Sequence, residues 1–175
     1  MQDFWSSITN NTKTRLELHY ARMFAQLLGR ISKKLPDLEA LPNMERAPKK
    51  TRDYIAEATR CCLLKLDLAC IALCRACLEH GLSDILTDSM KDELKDKIEN
   101  NRRFRQAPNA LKALIEVCGN NGKLIGCQDD AEQVRNAGND ILHLHDSSKW
   151  DAWKILSSTR KIIGVIYSKG TCKDG

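Results

Sequence analysis

Residues 51–80 read TRDYIAEATRCCLLKLDLACIALCRACLEH, a stretch without glycine or proline. Within it Ala56, Cys61 or Cys62, Leu63, Leu66, Cys70, Leu73, Cys74, Cys77 and Leu78 recur at steps of three and four, the period of an amphipathic helix. Gly81 follows as the expected stop. So long a helical pattern makes an all-α fold the first expectation.

Working outward toward the N-terminus, Leu16, Tyr20, Met23, Phe24, Leu27, Leu28 and Ile31 form a second helical stripe over 12–34. Pro36, Pro42 and Pro48 then follow at six-residue intervals, which a helix does not survive. The expected organisation is an N-terminal helix over 1–34, a Pro-containing linker over 35–50 and a helical body over 51–175, onto which the N-terminal helix docks. Toward the C-terminus, Ser89 opens a charged helix Lys91–Asn101, and Pro108 sits in the first turn of Asn109–Cys118, ended by Gly119. Asp129 or Asp130 starts Ala131–His145, with Asp129 and Glu132 at capping-box spacing. Asp146 or Ser147 caps Trp150–Ser168, whose core residues are Trp153, Leu156, Ile162, Ile163 and Ile166. With no strand alternation, the chain reads as an all-α bundle of five to six helices plus the extra N-terminal one.

Composition agrees. In 175 residues, 42% hydrophobic and 29% charged are globular values, excluding a disordered or fibrous chain. The longest apolar run, Leu68–Cys74, is far short of the ~20 residues of a membrane helix, and Met1–Arg15 has no apolar signal core. The expectation is a cytoplasmic protein with no membrane partner. Eight cysteines in such a chain read as reduced thiols, and a net charge of +5 leans mildly toward polyanions.

Cys70-x-x-x-Cys74-x-x-Cys77 has the spacing of an iron–sulfur triplet, but i, i+4 and i+7 of an apolar helix are not the loop such a cluster needs. Cys74 and Cys77 make one C-x-x-C, and Cys118 and Cys127 do not supply the second pair of a zinc site. Core packing without metal or cofactor is the expectation, with a metal site including His80 and a redox sensor as alternatives. Arg102, Arg103 and Arg105 surround Phe104 at a helix end. Guanidinium forks and a stacking ring there suit nucleic acid, while three arginines at a helix C-terminus also satisfy the macrodipole.

The most specific stretch is residues 132–145, EQVRNAGNDILHLH. On a helix, Arg135, Asn139 and His143 form a polar ridge at i, i+4 and i+8, flanked by Val134, Ala137, Ile141 and Leu144. Gly138 costs about 1 kcal/mol against Ala within a helix, so a close approach is expected there. Arg75 and Glu79 likewise interrupt the most apolar helix. Two buried charges need partners, so the two helices are expected to face each other with these polar residues meeting.

Cys74-Arg75-Ala76-Cys77-Leu78-Glu79 followed by Val134-Arg135-Asn136-Ala137-Gly138-Asn139-Asp140-Ile141-Leu142-His143 resembles the R-x-x-L-E … R-x-x-G-N-x-x-x-H pattern of a domain family of unknown function in the HEPN superfamily. The resemblance covers about residues 55–168. It implies a HEPN-like helical bundle, often dimeric, in bacterial restriction, anti-phage or toxin–antitoxin settings. Active members of the superfamily are metal-independent endoribonucleases carrying an Arg, four to six residues, then a His. Here seven residues separate Arg135 from His143, Gly138 stands where the Arg of a four-residue spacing would be, and Arg75 and His80 have four between them.

Two functions follow. In a ribonuclease, His143 takes the 2′-OH proton, Arg135 clamps the phosphate, Asn139 or Asp140 orients the ring, and Arg75 with Glu79 sets the local field, with Arg102, Arg103 and Arg105 holding RNA. In the alternative, the same residues staple two helices of a non-catalytic module that binds nucleic acid, a nucleotide or a partner protein of a defence complex. A homodimer or an operon-encoded partner is the expected assembly.

Overall fold

The computed structural model describes residues 2–34, 36, 38, 44–100, 107–143 and 148–168. Among them every regular element but a 3₁₀ turn, Met44–Arg46, is an α-helix: α1 (Gln2–Lys34), α2 (Lys49–Leu63), α3 (Asp67–Asp84), α4 (Asp88–Asn100), α5 (Ala107–Asn120), α6 (Gln128–Leu142) and α7 (Ala152–Ile166). The all-α bundle is therefore present. Met1–Glu39 and Ala40–Gly175 form two compact units.

The first unit is α1. It runs over nearly the whole of the expected 1–34, beginning before the stripe that starts at Thr12, and Leu16, Tyr20, Met23, Phe24 and Leu28 on that stripe are each 48–61% exposed.

In the second unit, the long helical pattern over 51–80 is divided. Helix α2 ends in a Schellman arrangement: Leu66 N–H donates to Cys61 O (2.8 Å) and Lys65 N–H to Cys62 O (3.2 Å). Lys65 takes the left-handed residue's place with φ 62°. A side chain there costs roughly 1–2 kcal/mol, and with lysine in the glycine's usual place the sequence does not mark the break. Gly81, read as a stop, lies inside α3. A Cβ on it would sit 2.9 Å from Ile163 Cδ1 and 3.1 Å from Ile166 Cδ1, so its role is to let α7 approach.

Helix α3 is the axis of the unit, packed by α2, α5, α6 and α7. The hairpin with α2 is antiparallel. Cys70 Sγ–H donates to Ala152 O, and Gly81 abuts Ile163 and Ile166, so α7 runs parallel to α3. Asp130 meets Ser158 and Lys161 while Asp140 meets Trp150, so α6 is antiparallel to both. Helices α4 and α5 pair through Lys97–Glu116 and Asn121–Glu93. The core gathers Cys70, Ile71, Cys74, Cys77, Leu78 and Leu82 from α3 with Ile155, Leu156, Ile162, Ile163 and Ile166 from α7. Trp153 is only half-buried.

Several helix starts differ from the sequence pattern. Thr87 Oγ1, rather than Ser89, accepts from Met90 N–H ahead of α4. Helix α5 runs past Gly119 to Asn120, because Gly122 at φ 69° supplies the left-handed turn. Helix α6 starts at Gln128 with Cys127 as N-cap, so Asp129 and Asp130 lie in its first turn and serve the macrodipole instead of closing a capping box. Asp151 caps α7, accepting from Trp153 N–H at 2.8 Å and Lys154 N–H at 3.4 Å. Leu144, His145, Asp146 and Ser147 lie outside the described residues.

Candidate functional site

Helices α3 and α6 face each other across the residues singled out in the sequence. Arg75 Nε donates to Asn139 Oδ1 at 3.3 Å, and Arg75 Nη1 reaches Glu79 Oε2, one turn on, at 3.2 Å. The stem of Arg75 lies against Gly138: a Cβ on that glycine would fall 2.6 Å from Arg75 Cβ and 2.8 Å from Cγ. The close approach expected at Gly138 is thus the passage of an arginine side chain, and the guanidinium emerges beyond it to meet Asn139. Its side chain is 14% exposed and that of Glu79 49%, so Glu79 is not the buried charge anticipated.

Arg135 points elsewhere. Its guanidinium is held by Glu132 Oε2 (2.8 Å) and Asn136 Oδ1 (2.8 Å) on its own helix, turned toward the α6 N-terminus. His143 stands two turns on, at the C-terminal end of the helix. It is the C-cap of α6, exposed, with its backbone N–H donating to Asn139 O at 2.9 Å. Eight residues of α-helix place the two Cα atoms about 12 Å apart. The helix thus ends where the ridge was expected to continue through His143. Asp140, cast as an orienter of His143, accepts from Trp150 Nε1 at 2.8 Å and pairs with Lys149 Nζ at 2.8 Å, tying α6 to the start of α7. The structure thus brings together Arg75, Glu79 and Asn139, and leaves Arg135 at the middle of α6 and His143 at its C-terminal end. Arg102, Arg103 and Arg105 lie outside the described residues.

The cysteines occupy the interior. Cys70, Cys74 and Cys77 are each 0% exposed, and Cys61, Cys62, Cys118 and Cys127 are also buried and not in disulfides. Hydrogen bonding to Cys62 and Cys74, together with burial, pushes the Cys70 thiol far up. Burial does the same for Cys77, and it pushes Cys118 up to about 12. Such thiols stay protonated and donate, as Cys77 does to Thr51 O. Among the described residues, no group of three or more His, Cys, Asp or Glu side chains is placed to hold a metal ion. None of the described helices is long and apolar enough to cross a membrane.

Two polar constellations had no sequence signal beyond residue type. On one, Thr51, wholly buried, shares a 2.8 Å hydrogen bond with His80 Nδ1, and Tyr167 Oη donates to Asp84 Oδ2 at 3.0 Å. Burial and Asp84 raise the Tyr167 hydroxyl well above the usual phenol range. His80, about 140° around α3 from Arg75, therefore serves α2 and not Arg75. On the other, Asp130 accepts from Ser158 (2.8 Å) and Lys161 (2.6 Å). Burial opposes ionisation of Asp130, yet these two bonds outweigh it and hold the carboxyl below its ordinary range. A shallow hollow of about 350 Å³ lies at the same end of α6, lined by Gly119, Leu124, Ile125, Gly126, Gln128 and Asp129. It is remote from the Arg75–Asn139 bond. No protein-family model, no curated protein and no solved structure matches this chain.

Proposed function

We propose that the chain is a HEPN-like helical module of bacterial defence or toxin–antitoxin type, cytoplasmic, that binds nucleic acid or a partner protein and does not cut RNA within a single copy. The observation supporting this reading is the separation of Arg135 and His143. A phosphate clamp and a proton acceptor must converge on one phosphodiester, whereas these stand about 12 Å apart with the guanidinium turned away onto Glu132 and Asn136. Arg75 is likewise committed to Asn139 and Glu79, the geometry of a clasp between two helices. The test is fluorescence anisotropy with labelled single-stranded RNA across a salt series. Binding should weaken as salt rises, and replacing Arg102, Arg103 and Arg105 together by Ala should flatten that slope. A salt-independent signal, or none at all, would turn the reading toward a protein partner.

The second reading, a metal-independent endoribonuclease, is favoured by one feature: His143 is exposed at the end of α6, three residues beyond the Asp140–Lys149 pair. Cleavage would then run in excess chelator and leave 2′,3′-cyclic phosphate ends, since the 2′-OH is the attacking group. His143→Ala should abolish it with the helical circular dichroism intact. Cleavage persisting unchanged in that variant would exclude His143 as the acid or base.

A further inference from the structure

We propose that Asn121 is a deamidation site gated by α4, and that the carboxylate it becomes keeps α4 from closing again. This stands apart from any reading of α3 and α6.

The sequence supplies the reacting pair. Asn121-Gly122 is the one Asn-Gly step in the 175 residues. The main-chain nitrogen that follows an asparagine can attack the side-chain carbonyl carbon, and a glycine there places no Cβ in its path. Gly122 N bonds to Asn121 Cγ, the Cγ–Nδ2 bond breaks, and Nδ2 leaves as ammonia with the proton from Gly122 N. Water then opens the five-membered imide at either carbonyl, giving aspartate or isoaspartate. Both residues are exposed, so water reaches them, and no other reactant is needed.

The fold holds both reacting groups. Asn121 caps the C-terminus of α5, where Gly122 N–H donates to Gly119 O at 3.0 Å and Lys123 N–H to Cys118 O at 2.9 Å. These are the two bonds of a Schellman motif, with Gly122 at φ 69° as its left-handed residue. The proton that the attacking nitrogen must shed is thus engaged. Asn121 Nδ2 donates to Val117 O and to Glu93 Oε2, each at 2.9 Å, which draws the amide back along α5. Val117 lies on α5 itself, whereas Glu93 reaches over from α4.

The gate is the helix with the smallest hold on the unit. Met90 is the one buried residue of α4, and α5 is its main packing partner. Local opening costs least where few apolar side chains are buried, so α4 parts from α5 more readily than α3 from α7. Each opening removes Glu93 and leaves the amide with one acceptor.

Deamidation makes the opening permanent. In aspartate an oxygen replaces Nδ2, so that Val117 O and Glu93 Oε2 face a third acceptor with no proton to share. The two carboxylates also repel. Lys123 lies near the same Cys118 thiol as Glu93 and can pair with one carboxylate, but it restores neither lost bond. Isoaspartate adds a carbon to the main chain inside both rings of the Schellman motif, which then no longer close.

The full chain is incubated at physiological pH and temperature, and the position of conversion is read by peptide mass spectrometry with electron-transfer fragmentation. Conversion is expected at Asn121 ahead of Asn120, Asn136 and Asn139, and slower than in the guanidinium-unfolded chain. Glu93→Ala should speed it roughly fivefold, the effect of one lost hydrogen bond on an opening equilibrium, while Glu93→Gln, which keeps an acceptor, should stay near wild type. Asn121→Asp should raise hydrogen exchange of the α4 amides severalfold and leave those of α3 and α7 unchanged. Far-UV circular dichroism confirms the fold in each variant. A folded chain that converts as fast as the unfolded one, or not at all while the unfolded one converts fully, would overturn the site. A rate indifferent to Glu93→Ala would overturn the gate, and α4 exchange indifferent to Asn121→Asp would overturn the lasting release.

Discussion

Helices α1 and α3 carry apolar side chains at the same helical spacing, but in the structure their surroundings are opposite. Four helices pack α3, and Cys70, Ile71, Cys74, Cys77, Leu78 and Leu82 are all but inaccessible. On α1, Leu16, Tyr20, Met23, Phe24 and Leu28 are 48–61% exposed. The difference lies in what surrounds the stripe. Helix α3 has small or apolar residues nearly all round, with Arg75 its one basic side chain, and that arginine is accommodated because Gly138 leaves room for its stem. Helix α1 mixes its faces instead: Lys13 and Lys34 fall on the arc of the apolar stripe, and exposed Leu18 lies opposite it.

The comparison breaks most sharply on large-to-small changes. Ile71→Ala should cost about 2–5 kcal/mol in urea denaturation, because the site is closed on every side. Leu16→Ala should change monomer stability by less than ~0.5 kcal/mol. Equal effects would mean that α1 is packed as α3 is.

The arginine's accommodation can be tested next. Gly138→Ala should improve intrinsic helix propensity by about 1 kcal/mol and still destabilise the fold by roughly 1–3 kcal/mol net. The new Cβ would meet Arg75 at its own Cβ, which cannot swing away. Stabilisation by the substitution would show that the two backbones are farther apart. Glu79→Ala, at a half-exposed site, should stay within ~0.5 kcal/mol.

The thiols of the second unit sharpen the contrast through pH. Cys70, Cys77 and Cys118 have folded pKa values raised above that of an unfolded thiol, about 8.5. Their contribution is complete below that value, because both states then bind the proton. Above it the unfolded chain ionises while the fold stays protonated, so stability falls as pH rises, for Cys118 until about pH 12. The urea midpoint should drop steadily above pH 9, with Tyr167 adding in the same direction. Thiol alkylation at pH 8 should leave these three unmodified until denaturant is added.

One substitution should have the opposite sign. Lys65→Gly relieves a left-handed residue and should stabilise by roughly 0.5–1 kcal/mol, the unfolded glycine's freedom offsetting part of the gain. A loss would mean that the Lys65 side chain contributes more than its backbone costs.

Periodicity located the helices because burial of an apolar face is a local property of the chain. It also placed Arg75 and Asn139 opposite each other, since a charge in an apolar stripe must find a partner. What it missed is set by geometry between elements. The break at Lys65 has no glycine to announce it, and Gly81 looks like a stop until the neighbouring helix is in place. The end of α6 at Leu142 separates His143 from the ridge, and the paired guanidinium of Arg135 depends on a rotamer that spacing cannot supply. The Thr51–His80 bond joins positions 29 apart with no pattern between them.

The division of α2 from α3 at Lys65 has a consequence during synthesis. The hairpin's contacts lie close in sequence, so these two helices can pair as soon as they leave the ribosome. The partner that seals α3 comes late: Cys70 donates to Ala152, 82 residues on, and Asp84 accepts from Tyr167, 83 residues on. At ordinary translation speeds that delay is roughly 4–16 seconds, during which one flank of the most apolar helix is bare. Ribosome-bound chains truncated before Ala152 should therefore be held by chaperones that capture apolar segments, and chains extended past Tyr167 should be released.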